Sequence, residues 1–296
     1  MKTIGMKFRL FVIFSLLACT AFAQQPAAQI EPSKILTVAL GMLPPVEKAP
    51  EALLVKPGDK VSFMGDSITQ QGGYVRLAAY VLKSAYPELK LPQFVNAGIS
   101  GQKAENMEPR FEKDMKLADK PAWVFINVGI NDVWHRLAKE HDPAVLAAYK
   151  ENVARMVDKA RSAGARAVLL TPTIIQEDPV SDGNKRLPMY ADAMKSVAAE
   201  KKCALVDLHA MFLQAIAKKP AGLRLTGDGV HMGPYGDSIM AIGVLRAMGV
   251  PDAKISSVDP TSILKIRLNM PIPEAAEKLQ VPASRLLGVP DAGFSF

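Results

Sequence analysis

VSFMGDSIT, residues 61–69, is the stretch from which the fold of this chain can be read. Residues 61–64 form a short, mainly apolar run of the kind that makes a strand buried on both faces, and Gly65 interrupts it. Asp66 and Ser67 then stand at the carboxyl end of that strand, ahead of a helix-forming stretch that starts near Gly73. In open α/β sheets this is the crevice where ligands bind, because free backbone N–H groups converge there. A serine so placed can be a nucleophile. It can equally do no more than cap a helix, as Ser and Asp commonly do.

Beyond residue 60 the chain alternates strand, loop and helix. Apolar runs at 61–64, 93–95, 123–128, 167–170 and 204–206 are separated by helical spacing at 74–86, 104–115, 143–163 and 188–201. This alternation predicts an α/β fold, a three-layer α/β/α domain over 60–250 with a five-stranded parallel, flavodoxin-like sheet. The helix at 143–163 has the plainest signals: Asp142 to cap it, Pro143 in its first turn and Gly164 to end it. A last helix spans 234–248, closed by Gly249 and Pro251. Residues 24–59, with six scattered prolines, read as an irregular lead-in. Residues 251–296 read as a C-terminal extension with an apolar run at 263–268 and a helical piece at 274–279, and nothing in them assigns a role.

The chain has 296 residues, 49% of them hydrophobic, enough for one core with terminal additions. Residues 1–23 read as a secretory signal peptide: Lys2, Lys7 and Arg9, then an apolar stretch too short to span a bilayer, then Ala21-Phe22-Ala23 as the cleavage site. The expected location is exported, periplasmic or extracellular. The competing reading is a lipoprotein signal with Cys19 lipidated. Cleavage removes three cations and no acid, which takes the net charge from +7 to +4. No Lys/Arg run or basic-aromatic stripe points to nucleic acid, and no integral membrane segment remains. Cys203 is then the single cysteine, a small buried hydrophobe that can form no disulfide within the chain. There is no C-x-x-C and no His/Cys cluster, so no metal is expected.

Three further blocks follow the strands. Asn96-Ala97-Gly98-Ile99-Ser100-Gly101 allows a tight turn with an N–H close to a bound group, and an ordinary βα turn would look the same. Gly129-Ile130-Asn131-Asp132 offers a side-chain amide donor at the end of the third strand, or a helix cap. Asp228-Gly229-Val230-His231 precedes the last helix. There a carboxylate can accept from one imidazole nitrogen and leave the other facing Ser67, the arrangement that activates a serine hydroxyl. The chain has four histidines. His209, beside Asp207, is the rival base; a helix starting at Ala210 turns it away. His135 lies close after Asn131, to line the pocket or sit on the surface, and His141 lies in a charged connection.

The four blocks GDSIT, NAGISG, GIND and DGVH, in this order and spacing, resemble the SGNH or GDSL family of serine esterases and acylhydrolases over residues 60–248. The resemblance implies Ser67 as nucleophile, His231 as general base and Asp228 as its orienting partner. It implies an oxyanion hole of the Ser67 N–H, the Gly101 N–H and the Asn131 amide, with no cofactor. Asp66 and His135 are expected to touch substrate. The continuation 131–135 and the loop with Thr171-Pro172-Thr173 and Asn184 look closest to the bacterial carbohydrate-esterase and lysophospholipase-like branch. The expected partner is therefore an acylated small molecule or polysaccharide, most simply one bearing acetyl groups. The alternatives are a lysophospholipase or thioesterase for longer chains, and a carbohydrate-binding module that keeps the fold without the activity.

Overall fold

The computed structural model describes residues 31–46 and 52–264. Both export signals and the helical piece at 274–279 lie outside the described residues. In chain order the elements begin with α1 (Ile35–Met42), β1 (Val61–Gly65), α2 (Ser67–Gln71), α3 (Gly73–Ala85), β2 (Val95–Gly98) and α4 (Ala104–Asp114). They continue with β3 (Trp123–Asn127), α5 (Ile130–Trp134), α6 (Pro143–Ser162), β4 (Arg166–Leu170) and α7 (Asp182–Lys201). The last are β5 (Ala204–Val206), α8 (Leu208–Lys218), α9 (Pro234–Ala247), α10 (Asp252–Ser256) and α11 (Thr261–Leu264). The five strands form one parallel sheet in the order β2-β1-β3-β4-β5.

β1 and β3 are buried along their whole length, which is why both read as nearly unbroken apolar runs. Phe63 of β1 stacks on Phe125 of β3 at 4.8 Å and on Phe94 at 5.9 Å. Ser62 is tolerated inside this layer because its hydroxyl donates to the Met115 carbonyl at 3.1 Å. Helices α3 and α8 pack on α9, helices α4 and α7 pack on α6, and the sheet lies between the two groups. The three-layer α/β/α expectation holds.

Three elements differ from the sequence reading. The lead-in is not irregular throughout: α1 buries Ile35, Leu36, Ala39 and Met42 against α9, and its flanking prolines disguise it. β2 runs on through Asn96, Ala97 and Gly98, poor strand formers kept extended by pairing with β1. α7 begins six residues before Pro188, because the Ser181 hydroxyl accepts from the Asn184 N–H and caps it there. The role of residues 252–264 was left open by the sequence; here α10 packs on α1, α3 and α9, and the Ser262 hydroxyl donates to the Tyr80 hydroxyl at 2.9 Å.

If α1 belongs to the core, truncating its buried face must destabilise the whole domain. Leu36 is 1% exposed, and Leu36→Ala is expected to lower unfolding stability by roughly 2–5 kcal/mol. Urea titration checks this, and an unchanged midpoint would place α1 outside the cooperative unit.

Candidate active site

Because β2, β1 and β3 are adjacent, the segments that leave their carboxyl ends emerge side by side. Asp66 caps α2 by accepting the Ile68 N–H at 2.9 Å, and this sets Ser67 as the first helical residue. The capping role thus falls to Asp66 and leaves the Ser67 side chain free of it. The turn from β2 is stapled to α2 by three contacts. The Asn96 amide donates to the Thr69 carbonyl at 2.6 Å, the Ser100 N–H donates to Gln70 Oε1 at 2.7 Å, and Gly98 lies directly under the helix. A Cβ on Gly98 would come within 2.1 Å of the Gln70 nitrogen, so only glycine permits this approach.

His231 reaches Ser67 from the far end of the chain. Its Nε2 lies 2.8 Å from Ser67 Oγ, and its Nδ1 lies 2.6 Å from Asp228 Oδ2. With Nδ1–H donating to the carboxylate, Nε2 is left to accept the serine proton. Partial burial pushes the Asp228 carboxyl up, but hydrogen bonds from the His231 ring, the His231 N–H and the Val230 N–H outweigh it and hold it at about 2. Asp228 is therefore ionised throughout the working range of pH.

Asn131 is buried, and its amide donates to the Gln102 carbonyl at 3.1 Å, which ties the end of β3 to the residue after Gly101 and leaves its second N–H. Among the described residues no protein group accepts from the Ser67 or the Gly101 N–H. His135 is exposed, and a Cβ on Gly101 would lie 3.8 Å from its ring. Trp134, which the sequence did not single out, is 38% exposed and stands edge-on to the His231 ring at 6.3 Å between centroids. Its signal was position alone, directly after the Asn131 block.

Two expectations are corrected. Asp66 has no exposed surface, so it cannot meet substrate; it shapes the turn from beneath. The helix after β5 begins at Leu208 and not at Ala210, so His209 lies in its first turn; it is still turned away, with its Nδ1 2.7 Å from the Thr173 carbonyl in a buried setting. A hollow of about 240 Å³ lined by Glu105, Asp132, Tyr149 and Asn152 holds none of Ser67, Asp228 or His231; Ser67 is itself buried, His231 is half-buried and the Asp228 side chain is exposed.

The GDSL-like lipase/acylhydrolase family model matches residues 63–239. The acetylxylan esterase of Geobacillus stearothermophilus is 31% identical over 212 residues, 65% of this chain and 94% of that protein. The probable rhamnogalacturonan acetylesterase YesY of Bacillus subtilis is 29% identical over 150 residues, 50% of this chain and 65% of that protein. The crystal structure of Axe2, an acetylxylan esterase from Geobacillus stearothermophilus, superposes with a TM-score of 0.60 at 29% identity, covering 68% of this chain and 98% of that one. Catalytic mutants of Axe2 replace a serine, an aspartate and a histidine by alanine, the aspartate lying three positions before the histidine.

Beneath the site lie three carboxyl groups that burial pushes up to about 7: Asp66, Asp132 and Asp237. The Ile68 N–H and the His231 ring pull Asp66 back only in part, and the Ala104 N–H and Arg136 do the same for Asp132. Asp237, from α9, is pulled back by Arg76 and by the Tyr74 N–H. An unfolded carboxyl titrates near 4, so between about pH 4 and 7 the folded chain holds protons that the unfolded chain has lost. Stability must then fall as pH rises through that window and stay low above it. The thermal midpoint is expected to be higher at pH 5 than at pH 8, and Asp132→Asn to reduce the difference. Calorimetry at the two pH values tests this, and a midpoint that rises with pH would be the contrary result.

Proposed function

The chain belongs to the GDSL-like lipase/acylhydrolase family, and from that membership we propose that it is an exported serine esterase that removes acetyl groups from carbohydrate. It is a carboxylic ester hydrolase. The single observation that carries the proposed mechanism is the hydrogen-bonded series Ser67 Oγ, His231 Nε2, His231 Nδ1 and Asp228 Oδ2, with contacts of 2.8 and 2.6 Å. The serine, aspartate and histidine of the Axe2 catalytic mutants have the same chain order, and its Asp-to-His spacing equals that of Asp228 and His231.

A serine hydroxyl is protonated at neutral pH and a weak nucleophile. In the proposed cycle His231 Nε2 takes that proton as Ser67 Oγ attacks the acetyl carbonyl, and ionised Asp228 stabilises the imidazolium that results. The negative charge that develops on the carbonyl oxygen is met by the Ser67 N–H, the Gly101 N–H and the free N–H of Asn131. In comparable sites one such donor is worth roughly 3–4 kcal/mol. Collapse expels the sugar hydroxyl, protonated by His231. A water activated by the same imidazole then releases acetate and restores Ser67.

The acetyl-carbohydrate reading is supported by the names of the two esterase relatives and by the exposed groups around Ser67. The Asp228 side chain is 56% exposed, and the exposed rings of Trp134 and His135 stand nearby. An open surface with an aromatic edge suits a small group carried on a polymer, and the Trp134 ring is apolar surface on which a sugar ring can lie. His135 would line that surface beside Gly101. Export rests on the N-terminal sequence, where Lys2, Lys7 and Arg9 precede an apolar stretch and Ala21-Phe22-Ala23.

Ser67→Ala and His231→Ala are each expected to abolish hydrolysis of p-nitrophenyl acetate with the circular dichroism spectrum unchanged. Near-normal turnover in either would remove that residue from the mechanism. An organophosphonate is expected to add once, at Ser67, by mass spectrometry. Asn131→Ala should lower kcat by about a hundredfold or more; an unaltered kcat would take its amide out of the oxyanion hole. Across p-nitrophenyl esters, acetyl is expected to be preferred over octanoyl, and acetate to be released from acetylated xylan. Preference for the long chain would favour a lysophospholipase or thioesterase.

A further inference from the structure

The segment that carries Asp228 and His231, residues 219–233, lies between α8 and α9 with no helix or strand of its own. Loops of that length without secondary structure are uncommon in compact domains and need specific anchoring. Internally this one is a small hairpin: Thr226 bridges Met232, the Gly227 N–H donates to the His231 carbonyl at 2.8 Å, and the Gly233 N–H donates to the Leu225 carbonyl at 2.8 Å. Those bonds shape the hairpin. They do not say where it sits relative to Ser67.

We propose that Glu177, in the β4–α7 loop, is the positioning residue that seats this hairpin so that His231 meets Ser67. One carboxylate oxygen, Oε1, accepts the Leu225 N–H at 2.8 Å, the Thr226 N–H at 2.8 Å and the Thr226 hydroxyl at 2.9 Å. The other, Oε2, pairs with Lys219 Nζ at 2.8 Å, at the start of the loop. Burial alone would push this carboxyl up, but Lys219 and the donors of Thr226 and Leu225 hold it below the usual range, so it is ionised when it accepts them. Leu225 and Thr226 are buried, so without Glu177 two backbone N–H groups lose their acceptor away from water.

A second contact from the preceding residue reaches the hairpin at its tip. The Gln176 N–H donates at 2.6 Å to the carbonyl of Gly229, the residue directly after Asp228. Gln176 holds φ at +64°, a left-handed conformation that is unfavourable for a residue with a side chain, and Gly229 faces it at φ +98°. The loop that bears Gln176 and Glu177 is in turn fixed to the start of α7. Asn184, buried, accepts the Ile175 N–H at 2.9 Å and donates to the carbonyls of Gln176 and Asp178, and the Ser181 hydroxyl donates to the Ile175 carbonyl at 2.9 Å. A continuous set of bonds thus runs from a long helix to the imidazole.

The inference rests on the esterase reading, and the test separates the two. In the full-length protein, Glu177→Ala is expected to lower kcat on p-nitrophenyl acetate by roughly ten- to a hundredfold with KM nearly unchanged, the scale set by misplacing a reacting group by about 1 Å. The downfield proton resonance of the His231–Asp228 hydrogen bond is expected to broaden or vanish. Glu177→Gln keeps an oxygen acceptor for the three donors and is expected to restore both kcat and the resonance in large part. Retention of kcat and of the resonance in Glu177→Ala would overturn the proposal. So would a Glu177→Gln protein that folds and has lost both, and that arm decides the matter if Glu177→Ala does not fold. The resonance does not depend on turnover: a parent protein inactive on every ester would defeat the esterase reading, while loss of the signal in Glu177→Ala would still uphold the clamp.

Discussion

A single contact of 2.8 Å joins residues 164 positions apart, Ser67 and His231. The placement of most elements can be understood as a condition for it. Closing so long a separation costs chain entropy, and no lone hydrogen bond repays that. The sheet does so instead. By burying β1 and β3 on both faces and stacking Phe63 on Phe125, it fixes the end of β1, and α9, packed on α3 and β5, brings the other end of the chain back to the same edge. The contact is therefore a product of hydrophobic packing and adds little to stability itself.

The polar groups around that contact divide by burial into two kinds. Asp66 and Asp132 lie inside and Asp237 is half-buried, and in all three desolvation keeps the proton on to about pH 7. Asp228 lies at the surface, where three hydrogen bonds keep its proton off to about pH 2. In the role proposed for Asp228, a carboxyl that stabilises an imidazolium must be charged, and the surface placement secures this. Asp66, directly before the proposed nucleophile in sequence, serves the opposite need. It shapes a turn, and a neutral or half-protonated group does so without adding full charge beneath Ser67.

How much of this was legible in the sequence depends on whether the cause was local. The five strand runs, the capped helix α6 and the Asp228–His231 spacing follow from period, caps and turn residues, and they could be read directly. Misplaced elements were those held by distant partners. β2 extends through Asn96 and Gly98 because β1 lies beside it, and α1 exists because α9 offers its residues a surface. Asp66 stands beside Ser67 in sequence, and only the path of the backbone reveals that it points inward. Glu177 left no trace, since a lone acid in a polar loop has no pattern, and its donors lie 48 and 49 residues away.

An open site raises a difficulty that buried sites do not have. Side chains in a core are oriented by close packing, but Asp228, 56% exposed, has few neighbours to orient it. Its orientation must then come from hydrogen bonds, and hydrogen bonds at a surface hold geometry only if their far ends are rigid. Here the far ends are buried: Leu225 and Thr226 on the hairpin, and Asn184 at the start of α7. The imidazole can therefore keep its place beside an exposed carboxylate, because rigidity reaches the surface through polar contacts anchored below it.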